Sequence, residues 1–276
     1  MSSLHIYNHK KDLPDHRDLK FEDFHAAHLE SKSVVQPKSP AKSSSVIKPV
    51  VVKPTIVDLR TSNLIPNILD QGQLGSCTAN AASNALRYLL KKEKLKEWQP
   101  SRLYIYWFSR FLEDTTNEDS GCYIRDVMKA IHTYGACDEK LLPYNINIFK
   151  KRPSNSCVRN ATPHIKNFKY LSVSNNDVSI KNCLNSGFPI VFGIDIYESF
   201  ETEAVANSGI VPMPDINNEQ LLGGHCVCIY GYNETTKQYI VMNSWGSKWG
   251  DKGFFYLPYD YVHKYGSDLW VLNFFD

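Results

Sequence analysis

The rhythm of apolar and polar positions changes halfway along the chain. From Cys77 to Lys92, Ala79, Ala82, Leu86 and Leu89 recur at spacings near 3.6, which predicts an amphipathic helix. Gly72 and Gly75 precede it and permit a tight loop into its first turn. A second helix is predicted after Pro100, a residue suited to a first helical position, with Tyr104, Trp107, Phe108 and Phe111 as core residues. A third is predicted from Ile124 to Thr133, ending near Gly135. Later segments read as strands: Pro189 to Ile196, His225 to Tyr232 and Gln238 to Asn243. The polar stretch from Asn233 to Lys237 predicts a hairpin between the last two. A helical half followed by a β half predicts an α+β protein.

Composition divides the chain further. Residues 1–30 carry six acids, four bases and five of the nine histidines: His5, His9, His16, His25 and His28. Six Ser, four Pro and five Lys dominate residues 31–54, which read as an extended tether. The expected division is therefore a propeptide-like segment and tether over 1–54 and a catalytic domain over 55–276. Within that domain the helical part covers roughly 55–160 and the β part roughly 161–276.

A net charge of +2 in 276 residues gives no ground for a nucleic-acid partner. The sequence contains no apolar run of membrane-spanning length, and no membrane association is expected. The N-terminus lacks an apolar core of signal-peptide length. An intracellular, reducing setting with mostly free thiols follows as the default, in a host cell or virion were the source viral. The seven cysteines leave at least one unpaired within a monomer.

Cys77 is placed where chemistry is available. At a helix start, orphan N–H groups and the positive dipole end stabilise a thiolate, the reactive form of cysteine. His225 follows two glycines at the start of a strand, and Asn243 ends the next strand of the hairpin. Neighbouring strands bring the two side by side, so that the amide oxygen accepts from one imidazole nitrogen and leaves the other for a thiol. Trp245 either covers that hydrogen bond or fills the core. His225-Cys226-Val227-Cys228 is not read as a metal site, because alternation sends His225 and the two cysteines to opposite faces. No cofactor is called for.

These residues resemble the papain-like cysteine proteases. Leu74-Gly75-Ser76-Cys77 stands at the family's nucleophile motif, and Gln71 matches its oxyanion-hole glutamine. His225 falls within the family's interval of roughly 130–150 residues downstream, and Asn243 slightly beyond it. Asn243 through Gly253 resembles the NSWGxxWGxxG signature, and Val57-Asp58-Leu59-Arg60 resembles the mature start VDWR. Asp12 through Asp18, DLPDHRD, resembles a segment of some microbial and large-virus members. It does not resemble the long helical propeptide of cathepsin L-like enzymes.

The resemblance implies two lobes, a helical one carrying Cys77 and a β-barrel-like one carrying His225 and Asn243, with an extended polypeptide substrate between them. It implies a Cys77 thiolate, a His225 imidazolium partner that acts as acid and base, and an oxyanion hole made by Gln71 and the Cys77 N–H. Gly75, Cys122 and Gly224 would contact substrate backbone, with Ile124 and Cys226 near a side chain and Trp245 bordering the site. The N-terminal segment would act as an intramolecular inhibitor, and protonation of its histidines on acidification offers a route to its release.

There are departures from the family pattern. Leu74 replaces the family's first motif cysteine, so the usual disulfide cannot form there. Thr78 replaces an aromatic. Cys122 replaces the second glycine of a substrate-binding pair, and its Cβ is expected to disturb that backbone contact. A non-catalytic binding module on the same fold is the rival reading, against which stand the filled catalytic positions.

Overall fold

In this computed structural model residues 5–26, 54–161 and 168–274 are described. The Ser/Pro/Lys-rich tether up to residue 53 and His28 lie outside them. Helix α1 (Cys77–Lys92), α2 (Arg102–Leu112) and α3 (Ile124–Tyr134) form one side of the molecule. Short helices follow at α4 (Asn155–Ala161), α5 (Asp177–Asn185), α6 (Glu203–Ser208) and α7 (Tyr259–Tyr265).

The strands are β1 (Ile56–Asp58), β2 (Phe168–Ser172), β3 (Ile190–Tyr197), β4 (Leu221–Asn233), β5 (Gln238–Met242), β6 (Phe254–Pro258) and β7 (Gly266–Phe274). They pair antiparallel in the order β2-β7-β3-β4-β5-β6, with β1 also pairing β4. Thus Ile56–Asp58, which the sequence division put in the helical part, joins the sheet.

Helix α1 is buried on almost every side, polar residues included. Ser83 donates to the Pro100 carbonyl (2.7 Å) and Asn80 to the Ser76 carbonyl (2.9 Å), so these side chains enter the interior without an unpaired donor. Helix α2 begins two residues later than it would with Pro100 as its first residue. Ser101 is the cap, its hydroxyl accepting from the Tyr104 N–H. Gly135 ends α3 at φ 74°, a value that suits glycine.

Strand β4 separates two cores. Cys226, Cys228 and Tyr230 join the core that holds α1, whereas Val227 and Ile229 join the core on the other side of the sheet. A register shift between Ile229 and Gly231 turns Tyr232 to that second core. Burial on both sides explains the nearly unbroken apolar runs of β3 and β4. All seven cysteines are buried free thiols.

Residues 5–26 pack onto this body. Phe21 enters the second core, and the Ser172 N–H donates to Leu19 O at 2.8 Å. The segment is therefore part of the fold as well as a visitor to the cleft.

Candidate active site

The loop before α1 is held from three directions. The Gln71 N–H donates to Ser244 O (2.8 Å), the Tyr144 hydroxyl donates to Gln71 O (2.8 Å), and Arg102 donates to Asp70 O (2.8 Å). Arg102 is in turn paired with Glu139 at 2.8 Å. The Gln71 side chain is fixed at both ends: its Oε1 accepts from the Ser244 hydroxyl (2.6 Å) and its Nε2 donates to Leu74 O (3.2 Å). One amide hydrogen of Gln71 remains for another acceptor. Leu74 fills core where a disulfide was ruled out.

Asp119 holds the glycines beside the nucleophile. Its carboxylate accepts from the Gly75 N–H (3.0 Å) and from the Tyr106 hydroxyl, and that hydroxyl accepts from the Gly121 N–H (3.2 Å). Neither Asp119 nor Ser244 was singled out from sequence. Only the lack of an apolar role at Ser244, inside a motif otherwise rich in tryptophan and glycine, could have marked it.

On the sheet side, His225 Nε2 lies 2.9 Å from Asn243 Oδ1, which also accepts from the Ser244 N–H. Trp245 stacks on the imidazole at a centroid separation of 4.9 Å. His225 Nδ1 is buried and has no hydrogen-bond partner. The backbone N–H groups of Cys226, Thr78 and Cys77 itself favour a thiolate at Cys77, but burial outweighs them and pushes the thiol up to about 11. Burial likewise pushes His225 down to about 4, against the raising effect of Asn243, with His5 and His9 adding to the depression. In the covered site burial therefore works against the thiolate–imidazolium pair, while the backbone N–H groups at Cys77 and the Asn243 side chain at His225 work for it.

The N-terminal segment covers the cleft. The His5 ring stacks on Trp245 (3.7 Å, 5°) and pairs with Glu201 at 3.1 Å. The Tyr7 hydroxyl also donates to Glu201, and its ring meets His225 edge-on at 5.8 Å. The His9 N–H donates to Gly224 O (2.9 Å), and the Lys10 N–H to Cys122 O (3.4 Å). Asn8 donates to Asp119 O (2.9 Å).

Absent side chains make room for this path. A Cβ on Gly121 would lie 1.7 Å from Asn8 O, and one on Gly193 would lie 2.1 Å from the His9 ring. The Cys122 side chain turns into the core rather than the cleft, so its carbonyl stays available to a neighbouring strand. Gly75, Gly224 and Trp245 all border the segment, while Ile124 and Cys226 are fully buried around it. Among the described residues no three metal-type ligands converge.

A cysteine at a helix start, set across a cleft from a histidine–asparagine pair on a sheet, defines the class of thiol hydrolases with a papain-like, two-lobed α+β architecture. Residues 53–268 match the papain family cysteine proteases, and the chain belongs to that family. It is 42% identical to an uncharacterised peptidase C1-like protein of Acanthamoeba polyphaga mimivirus, over 84% of this chain and 78% of that one. It is 27% identical to cathepsin K of Mus musculus over 73% of this chain and 58% of the cathepsin. Among solved structures, xylellain, a cysteine protease from Xylella fastidiosa, is similar with a TM-score of 0.80 and 31% identity, covering 100% of this chain and 98% of that one. The chain is accordingly a cysteine peptidase that hydrolyses peptide bonds.

Proposed function

We propose that Cys77, His225, Asn243 and Gln71 carry this hydrolysis, and that the chain is made as a precursor whose residues 5–12 cover the cleft. The observation that carries the reading is the 2.9 Å His225–Asn243 pair, which leaves a buried, unpartnered Nδ1 on the imidazole. Once uncovered, Cys77 and His225 regain solvent and each stabilises the other's charged form. The Cys77 thiolate then attacks the substrate carbonyl carbon. His225 gives its proton to the departing amine, leaving a thioester. Water attacks the thioester, His225 accepts the water's proton, and the Cys77 thiolate is released. The free Gln71 amide hydrogen and the Cys77 N–H stabilise the oxyanion. Removing one such donor costs on the order of 10²–10³ in rate.

The Cys77→Ala variant is expected to lose both peptide hydrolysis and labelling by a thiol-directed epoxide. Persistent hydrolysis by a pure sample would remove Cys77 from the mechanism. Covering is tested by a short truncation. Removing residues 1–11 spares Phe21, a core side chain that removal of the whole 1–54 stretch would strip out. The truncated protein should hydrolyse a small fluorogenic peptide faster than the full chain. Equal rates from equally folded samples would dismiss the inhibitory role.

A further inference from the structure

Asn84 lies on helix α1 seven residues after Cys77, two turns along the same face. It is 2% exposed. A buried amide in a helix interior is costly unless its donors and its acceptor are met. Here the amide is met at one end only. Nδ2 donates to Met242 Sδ at 3.1 Å. Oδ1 is buried and, among the described residues, has no hydrogen-bond partner.

The complementary orphan belongs to the active site. Asn243 Oδ1 is engaged twice, with His225 Nε2 (2.9 Å) and with the Ser244 N–H (2.8 Å). Asn243 Nδ2 is buried and, among the described residues, has no partner either. Asn84 and Asn243 border one small space of about 10 Å³, which Ala81, Cys226, Cys228 and Met242 help to close. Of the nine residues around that space, these two alone carry a buried side-chain atom without a partner. Asn80 and Ser244 also border it, but their side chains are committed to Ser76, Arg102 and Gln71.

Neither amide can be turned over without loss. Reversing Asn84 would set its oxygen against the Met242 sulfur. Reversing Asn243 would set its NH2 group against the Ser244 N–H, donor against donor. The space is therefore lined by an acceptor from α1 and a donor from the end of β5. Its volume is about what one water needs, and a polar space between matched groups holds water where an apolar one stays dry.

Resting on the peptidase reading above, we propose that a single water joins Asn84 Oδ1 to Asn243 Nδ2, and that Asn84 is thereby a positioning residue for His225. The water accepts from Asn243 and donates to Asn84. His225 can offer Nδ1 to Cys77 only while Nε2 stays bonded to Asn243 Oδ1. His225 and the Ser244 N–H hold the oxygen end of that amide. The water holds the nitrogen end, so the amide plane keeps its direction while the imidazole gains and loses a proton. Asn84 acts through Asn243 and the imidazole, not on the substrate.

The test begins with the unaltered full chain, isotope-labelled for NMR. The Asn243 side-chain NH2 should show a direct nuclear Overhauser contact with a long-lived water. In Asn84→Leu, close in size but without an acceptor, that contact should vanish. The same variant should lower kcat on a small fluorogenic peptide about tenfold, with KM within about twofold. The covering segment and the substrate compete for one cleft, so kcat at saturation does not register a change in covering. In an Asn243→Ala background there is no amide to hold, and Asn84→Leu should then lower kcat by less than about twofold.

No water contact at Asn243 in the unaltered chain overturns the inference, and that observation requires no variant to fold. An Asn84→Leu variant with kcat within about twofold of the unaltered chain overturns it as well. So does an equal loss with and without the Asn243 amide, which would mark a general disturbance of α1. Hydrolysis that survives Cys77→Ala tells against the peptidase reading itself, a result none of these measurements would imitate.

Discussion

Gly193→Ala is a lever on the covered state that leaves every residue of the covering segment unchanged. Gly193 pairs with Cys226 in the sheet, in ordinary strand geometry. The three nearest atoms to an added Cβ all belong to the His9 ring, the nearest at 2.1 Å. Real Cβ atoms do not tolerate that approach, so the ring must leave the pocket. Exposing the buried ring costs roughly 1–2 kcal/mol at about 25 cal/mol per Å². A shift of that size in the covering equilibrium is roughly a 5- to 30-fold change in the uncovered fraction.

The assay is the rate at which a thiol-directed epoxide labels Cys77 at fixed pH, since the covered thiol is fully buried. A second measurement isolates the cause. In a His9→Ala background there is no ring to expel, so Gly193→Ala should add nothing to the labelling rate. If Gly193→Ala speeds labelling equally with and without the His9 ring, the effect is a general loosening of β3 and the reasoning is refuted. Unchanged labelling in the single variant refutes it as directly.

Three further outcomes follow from other parts of the molecule. Ser244→Ala frees the Gln71 amide and should lower kcat about tenfold through poorer oxyanion stabilisation, with KM and epoxide labelling little changed; parallel loss of labelling would show that Ser244 supports the whole site instead. Arg110 is fully buried and donates to the carbonyls of Thr116, Glu118 and Phe149; Arg110→Met should lower stability by about 3 kcal/mol in urea unfolding, and an unchanged midpoint would contradict that role.

The last outcome concerns pH. His225 is held down to about 4 while covered, so its contribution to covering is present above its ordinary value of roughly 6.5 and is lost as pH falls toward 4. Asp12 acts in the opposite sense: burial and the Asp268 carboxylate push it up to about 7, so its contribution is present at low pH and lost as pH rises through 7. The two oppose each other between about pH 4 and 7. Asp12→Asn removes one of them. Protection of the His9 amide against hydrogen exchange, corrected for intrinsic rate, should then fall on acidification from 6.5 to 4. A profile identical to that of the unaltered chain would rule out the balance.

Local chemistry made much of the site legible in the sequence. Cys77 announced itself because a helix start needs no partner from elsewhere, and the 3.6 spacing behind it is a property of neighbouring residues. His225 and Asn243 were readable because adjacent strands of a hairpin align their residues by register. The strands β3, β4 and β5 showed as apolar runs because both faces of the sheet are covered. The covering segment showed only as a resemblance and an odd cluster of histidines.

What the sequence could not determine was set by contacts between distant parts of the chain. No local pattern brings His9 to Asp268, Tyr7 to Glu201 or Ser244 to Gln71, because each pair joins residues from separate elements. The shifts at Cys77 and His225 belong to this second group. The helix start and the Asn243 bond both favour the charged forms, and a reader of the sequence sees only those. Burial opposes them, and part of what lies over His225 is the Tyr7 ring of the N-terminal segment.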